Sequence, residues 1–163
     1  MSKRRMQSPM SNAEKREQWG KFAEKEGEFL DEVEARWGDT AAYEESARKV
    51  STYTKEDWEQ INASNTAIER RILELMDAGA EPTSEEAMDV AEQQRVHISR
   101  WFYVMDHAFH VQKSELYVQD PRFRAGIEEN TRPGAAEWLQ AAIIANAARA
   151  ADNGEVHVHV DTA

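Results

Sequence analysis

A chain of 163 residues is one ordinary domain's worth of polypeptide, and with 40% hydrophobic residues, 31% charged residues, seven Gly and four Pro it has the makeup of a folded helical protein. The formal net charge of −11 argues against direct binding to nucleic acid, whose phosphates attract clustered Lys and Arg; the one dense basic run, Lys3-Arg4-Arg5, reads as a solubilising tail. The absence of cysteine excludes disulfides, thiolate metal sites and thiol nucleophiles, and with no secretory signal and no apolar run long enough to span a bilayer, a cytoplasmic protein is expected.

In chain order, helix signals recur and no internal segment alternates like a half-buried strand, so an all-α fold is expected. Ser11 and Glu14 have capping-box spacing and open a short polar helix that ends near Gly20 or Gly27. A second helix is predicted over Glu28–Trp37, with Phe29, Val33 and Trp37 four apart and Gly38 just past its end. Asp39 or Thr40 caps a third that reaches Val50. Thr54 and Asp57 start the clearest long helix, whose stripe of Trp58, Ile61, Ile68, Ile72, Leu75 and Met76 runs to Gly79. Beyond Pro82, Thr83 and Glu86 are expected to cap an antiparallel partner that buries Ala87, Val90, Ala91, Ile98, Trp101 and Met105. Asp120-Pro121 breaks the chain before a short helix over Arg122–Glu128. Pro133 then precedes a last helix that buries Ala136, Leu139, Ile143, Ile144 and Ala147 and stops at Asn153-Gly154. Residues 13–150 are thus expected to form the domain, with tails at 1–12 and 151–163 disordered.

The richest stretch chemically is Trp101-Phe102-Tyr103-Val104-Met105-Asp106-His107-Ala108-Phe109-His110. Read as one helix it carries rings around most of its circumference, more than a single buried stripe accommodates, so some are expected to line a cleft. His107 and His110 lie three apart on one helical face, with Asp106 or Glu115 as further candidate metal ligands, yet no HExxH and no second ligand pair accompany them. Ligand-contacting histidines are the better reading, and neither a metal nor a cofactor is expected. His157-Val-His159 could clip a metal only in an extended chain, and no nucleophile elbow, Gly-rich phosphate loop or paired carboxylates are evident.

Several blocks resemble the drug-recognition domain of TipA-type regulators, the TipAS family. They are Glu34-Ala-Arg-Trp37-Gly-Asp-Thr40-Ala-Ala-Tyr43, Tyr53-Thr-Lys-Glu-Asp-Trp58, Leu75-Met-Asp-Ala-Gly79, Glu115-Leu-Tyr117-Val-Gln-Asp120-Pro-Arg122-Phe123, Pro133-Gly134 and Ala141-Ala-Ile143, in the family's order across Ala13–Arg149. The resemblance implies a globin-like helical bundle without haem, which wraps a multi-ring antibiotic, typically a thiopeptide, and whose N-terminal helices stay loosely ordered until ligand arrives. Some family members fix their ligand through two cysteines in the aromatic stretch; the matching positions here are Met105 and Gln112, so only reversible binding is expected. The family's DNA-binding and dimerising segments are not expected in a chain whose Met1 stands almost directly before the ligand domain, and a transcriptional role would then call on a regulator partner or a longer product.

The expectation is therefore a binding protein, not an enzyme, that sequesters or senses a bulky hydrophobic polycyclic or peptide antibiotic and touches neither nucleic acid nor membrane. Trp101, Phe102, Tyr103, Met105, Phe109 and Tyr117 form the expected wall, His107, His110 and Gln112 the polar anchors, and Trp19, Phe22 and Phe29 the lid. The alternatives are an acidic helical module that docks a protein partner and a metal-assisted enzyme that uses His107 and His110.

Overall fold

The computed structural model describes residues 9–20 and 22–162, and of residues 22, 25, 27, 29, 32–34 and 154–162 it describes the backbone only. Among the described residues there are eight helices and no strand: α1 (Asn12–Trp19), α2 (Phe22–Trp37), α3 (Ala41–Val50), α4 (Lys55–Asp77), α5 (Glu85–Trp101), α6 (His107–Gln119), α7 (Pro121–Glu128) and α8 (Ala135–Thr162). The all-α expectation holds. The helices build two compact units, one comprising the chain up to Asn65 with His97–Val104, the other Thr66–Val96 with the chain from Met105 onward.

Caps decide where these helices start, because the first turn leaves backbone amides without partners. Ser11 and Glu14 complete the predicted capping box on α1: the Ser11 hydroxyl accepts from the Glu14 amide at 3.2 Å and the Glu14 carboxylate from the Ser11 amide at 3.0 Å. Thr40 caps α3 by accepting from the Tyr43 amide at 3.1 Å. On α5 the cap is Ser84, which accepts from the Ala87 amide at 3.2 Å, one residue later than the expected Thr83. Asp120 caps α7 through the Arg122 amide at 3.0 Å, with Pro121 in the first turn, where its missing N–H costs nothing. Before α8, Glu128 reaches forward to accept from the amides of Gly134 at 3.0 Å and Ala136 at 3.3 Å, an acidic cap from outside the helix that complements its positive end.

In the first unit Met10, Val50, Trp58 and Ile61 form a buried cluster edged by Trp19, Tyr53, Trp101 and Phe102, and Tyr43 and Ala47 pack with Trp37 in a second. The burial of Met10 corrects the expected tail at 1–12, of which residues 1–8 lie outside the described residues. Gly27 does not end α1 or delay α2: the second helix starts at Phe22 and passes through it. A helical Gly costs about 1 kcal/mol relative to Ala. Here the nearby buried Leu30 and the buried Lys15–Glu26 ion pair, 2.7 Å between α1 and α2, hold the segment in place.

The core of the second unit joins Ile68, Ile72 and Leu75 of α4, Ala87, Val90 and Ala91 of α5, Tyr117 of α6, and Ala135, Trp138, Leu139, Ala142 and Ile143 of α8. Gly79 closes α4 as predicted: at φ 76° it turns the chain so that the Ala80 amide donates back to the Leu75 carbonyl at 2.9 Å and its own amide to Met76 at 3.0 Å. Two expectations for α8 are corrected. Ile144 is 48% exposed while Ile143 is fully buried, because one residue along a helix turns the side chain by about 100°. The backbone also continues as helix to Thr162, past Asn153-Gly154; a glycine in a helix weakens it without stopping it unless the chain must reverse there.

These assignments predict unequal costs. Ile143→Ala should lower stability by about 2–5 kcal/mol and Ile144→Ala by less than about 0.5, read from urea midpoints; equal losses would contradict the α8 register. Gly79→Ala should cost about 1–2 kcal/mol for backbone strain alone, since nothing lies within 4 Å of an added Cβ.

Candidate ligand-binding site

The aromatic decapeptide is not one helix. α5 ends at Trp101, with the amides of Phe102 and Tyr103 both donating to the Ile98 carbonyl at 2.9 and 3.2 Å. α6 starts afresh at His107, where the Asp106 carboxylate accepts from the Phe109 amide at 2.8 Å. Asp106 is therefore a cap, which removes it from the metal-ligand candidates, and Phe102 to Met105 lie outside helical geometry. An Asp three residues before an aromatic amide is an ordinary start signal; the density of rings obscured it.

In the first unit the rings of Trp19, Tyr53, Trp58, Trp101 and Phe102 form one interlocked group. Trp19 meets Trp58 edge to face at 5.0 Å, Tyr53 meets Trp58 at 6.1 Å and Trp101 at 5.5 Å, and Phe102 lies 6.3 Å from Trp58 and 6.4 Å from the His97 ring. Edge-to-face pairs of this kind add about 0.5–1.5 kcal/mol beyond their burial. Arg100 lies over Trp101 at 4.8 Å. Burial holds the His97 imidazole below its usual range, and its Nδ1 sits 2.9 Å from the Ser64 hydroxyl. Burial also pushes the Tyr103 phenol up to about 12, so it stays neutral and able to donate. Trp101, Phe102 and Trp19 from the expected wall and lid are thus brought together. Tyr53, Trp58 and His97 join them; Tyr53 and Trp58 were missed because they read in sequence as helix-start and core residues, and His97 because a lone histidine there suggests little but a haem ligand, for which no pocket is evident in sequence. The lid positions Phe22 and Phe29 lie outside the described side chains.

The remaining expected residues, Met105, His107, Phe109, His110, Gln112 and Tyr117, fall in the second unit. Met105 is 0% exposed, and its carbonyl accepts from Arg95 Nη1 at 2.9 Å. Tyr117 is a core residue beside Phe123, its ring 6.1 Å away; Phe109 is partly buried with Lys113 Nζ 5.8 Å from its ring, and Gln112 is exposed. Glu92 is the polar hub here. Its carboxylate takes a two-pronged contact from Arg95 and a third bond from Asn146 Nδ2 at 3.0 Å, and these, Arg95 foremost, hold it down to about 2 against the cost of burial.

His107 and His110 stand beside this hub as neutral imidazoles. His110 is 1% exposed and donates from Nε2 to the Gln94 carbonyl oxygen at 2.7 Å; burial, then Arg95 and His107, bring its pKa down to about 4. His107 Nε2 lies 3.8 Å from Glu92, its Nδ1 is buried without a hydrogen-bond partner, and burial again lowers its pKa. His110 bonds to Gln94 while His107 faces Glu92 at 3.8 Å, and no group of three or more metal-capable side chains occurs among the described residues. His157 and His159 fall on the helical backbone of α8, not in the extended chain that a metal clip would need. No described helix is long and apolar enough to cross a membrane.

By the family model that it matches, the chain falls in the class of antibiotic-recognition domains. The chain belongs to the TipAS antibiotic-recognition domain family, whose model matches residues 29–146. It is 41% identical over 149 residues to the HTH-type transcriptional activator TipA of Streptomyces coelicolor and of Streptomyces lividans, covering 91% of this chain and 58% of each relative. The chain thus spans little more than half the length of those relatives. The HTH-type transcriptional activator mta of Bacillus subtilis is 32% identical over 116 residues, 71% of this chain and 44% of that one. Among solved structures, the Streptomyces lividans TipAS in complex with nosiheptide matches with a TM-score of 0.78 at 40% identity, covering 88% of this chain and 98% of that one. The antibiotic-binding domain of a TipA-class multidrug resistance transcriptional regulator matches with a TM-score of 0.51 at 40% identity, over 56% of this chain and 97% of that one. The fold is accordingly that of the globin-like TipAS domain, as the sequence blocks imply.

The histidines give the stability a signed pH dependence. The folded pKa of His110, about 4, lies below the ordinary 6.5, so the unfolded chain binds the extra proton first. Its contribution is fully present above pH 6.5 and drains away between 6.5 and 4, by about 3 kcal/mol at the lower end; His107 adds in the same direction. Urea midpoints taken from pH 7.5 to 4.5 should fall steeply for the natural chain and less steeply for His110→Gln. Parallel slopes would refute the assignment.

Proposed function

We propose that this chain binds bulky, hydrophobic multi-ring antibiotics of the thiopeptide kind reversibly, and that it acts by sequestering or sensing them and not by catalysis. The observation that carries the reading is the coincidence of family membership with the interlocked rings of Trp19, Tyr53, Trp58, Trp101 and Phe102. Flat, amphipathic rings of this sort suit a ligand that is itself a string of aromatic rings, and few other residue types offer so much rigid surface at so little conformational cost. In this reading Trp101, Phe102, Tyr103, Met105, Phe109 and Tyr117 supply apolar contact. His107, His110 and Gln112 supply hydrogen bonds, and Trp19, Phe22 and Phe29 close over the bound molecule. The similarity to a TipAS domain in complex with nosiheptide supports the ligand class.

The chemistry of binding follows from composition. No thiol exists in the chain, so an electrophilic dehydroamino acid of a thiopeptide finds no nucleophile of the kind that would add to it. Helices α1 and α2 are thinly apolar, and binding is expected to order them, as in segments that gain their missing buried surface from a ligand. A cytoplasmic location and any part in transcription, through a regulator partner, belong to the same proposal.

Titration with nosiheptide and related thiopeptides should quench or shift tryptophan fluorescence, and at a hundred times the dissociation constant should stabilise the fold by about 2.7 kcal/mol. Denaturing mass spectrometry of the complex should return the unmodified protein mass, and dialysis should restore the free spectrum. No response to a broad thiopeptide panel would overturn the proposal, and a mass increase equal to the ligand would overturn its reversible form.

A further inference from the structure

Between α5 and α6 the chain runs through Phe102-Tyr103-Val104 without a glycine or proline to set its path, and no non-glycine residue here adopts a positive φ. Such a turn is free to sample many conformations unless something outside it fixes the backbone. Two side chains of the same unit do so. The Tyr53 hydroxyl donates to the Trp101 carbonyl on one side of the turn, and the Glu45 carboxylate accepts from the Val104 amide at 3.0 Å on the other. Glu45 is itself braced by Lys49, 3.2 Å away one helical turn along α3, and Lys49 Nζ reaches the Ser99 carbonyl at 3.5 Å.

The second of these bonds has no evident role in packing. Val104 is 71% exposed, so its amide could be satisfied by water, and a carboxylate committed to it gains little for stability alone. Its effect is on order: a charge-assisted bond to one end and a phenol bond to the other leave Phe102 and Tyr103 one backbone path between them. Phe102 is then held against Trp58 and His97 before any ligand arrives. The bond from the Val104 amide, foremost, lowers the Glu45 pKa, so the carboxylate is ionised and the brace in place across the physiological pH range.

We infer that the Glu45 carboxylate and the Tyr53 hydroxyl are positioning groups for antibiotic binding: they clamp the Trp101–Val104 turn in its receptive conformation and raise affinity by preorganisation, a role separate from any contact the Tyr53 ring makes with the ligand. The inference rests on the ligand reading above and adds to it a determinant of affinity that works through the backbone of the turn, with Glu45 outside the aromatic group.

The test uses nosiheptide as probe and the full chain with Glu45→Ala, Glu45→Gln and Tyr53→Phe. Tyr53→Phe keeps the ring and its packing, and Glu45→Gln keeps a carbonyl acceptor for the Val104 amide. Glu45→Ala and Tyr53→Phe should each weaken binding about tenfold, the scale of one net hydrogen bond, while Glu45→Gln stays within about threefold of the natural chain. Hydrogen exchange at the Val104 amide of the free protein should speed up in Glu45→Ala and not in Glu45→Gln, which separates positioning from a general loss of stability. If the natural chain binds nosiheptide and Glu45→Ala and Tyr53→Phe bind it as tightly, the clamp is overturned and the ligand reading stands. Equal weakening in Glu45→Gln and Glu45→Ala likewise overturns the clamp. If the natural chain binds no thiopeptide, the ligand reading falls and this role of Glu45 and Tyr53 falls with it.

Discussion

A helix has one stripe to bury, and the ten residues from Trp101 to His110 carry rings on nearly every face. Continued as α5, they would have exposed several aromatics to water at about 25 cal/mol for each Å² left unburied. The chain avoids this by ending α5 at Trp101 and restarting at His107 under the Asp106 cap. Much else depends on that break. It places Trp101 and Phe102 among the rings of the first unit and lets Met105 sink fully into the second. It also leaves a short stretch of backbone whose polar groups must find partners elsewhere, which Tyr53, Glu45 and Arg95 supply at Trp101, Val104 and Met105.

In the second unit the same economy governs the polar groups. Burying His110 costs little while it is neutral and bonded to Gln94, and a great deal once charged, so the surroundings select the neutral form. Arg95 could have been an expensive neighbour. Glu92 neutralises it through a two-pronged contact and spends its remaining acceptor capacity on Asn146, which also donates nothing to waste: its carbonyl oxygen takes a bond from Arg149, 2.6 Å away, and Arg149 in turn pairs with Asp89. A buried polar network is stable only when its members are satisfied in this way. His107 Nδ1, buried and unpartnered, is the exception and so the atom at which a ligand donor would gain most.

The legible parts of the fold were those in which one short-range rule had no rival. The Ser11–Glu14 box, the Thr40 cap, the α4 stripe with its Gly79 stop and the Asp120-Pro121 break each appear where local chemistry puts them. The misjudged parts were decided by competition. Gly20 and Gly27 look alike in sequence, yet Gly20 sits at φ 58° and ends a helix while Gly27 lies inside one; what separates them is the packing around α2, not the residue. Ile143 and Ile144 are equally apolar, and only the phase of α8 against its neighbours says which is buried. For the candidate site, the excess of rings around Trp101 was plain, but its companions were not. Tyr53 and Trp58 lie more than forty positions earlier and serve at the same time as helix-start and core residues, roles that hide a second one.

Under the proposed reversible binding, retention of a ligand is a matter of dissociation rate, and the residues that set it need not touch the ligand. A covalent adduct tolerates a loose cleft because the bond does the holding; a reversible complex loses, for every group it must order on binding, part of the affinity its contacts provide. The rings of Tyr53, Trp58 and Trp101 already meet one another edge to face, and the turn that carries Phe102 is fixed at both ends. Aromatic contact surface that is rigid beforehand binds more tightly at equal area than surface assembled by the ligand. On this argument the absence of thiol from the chain and the bracing of the turn belong together: where no covalent bond can hold a ligand, preorganisation of the surface that meets it is what slows its release.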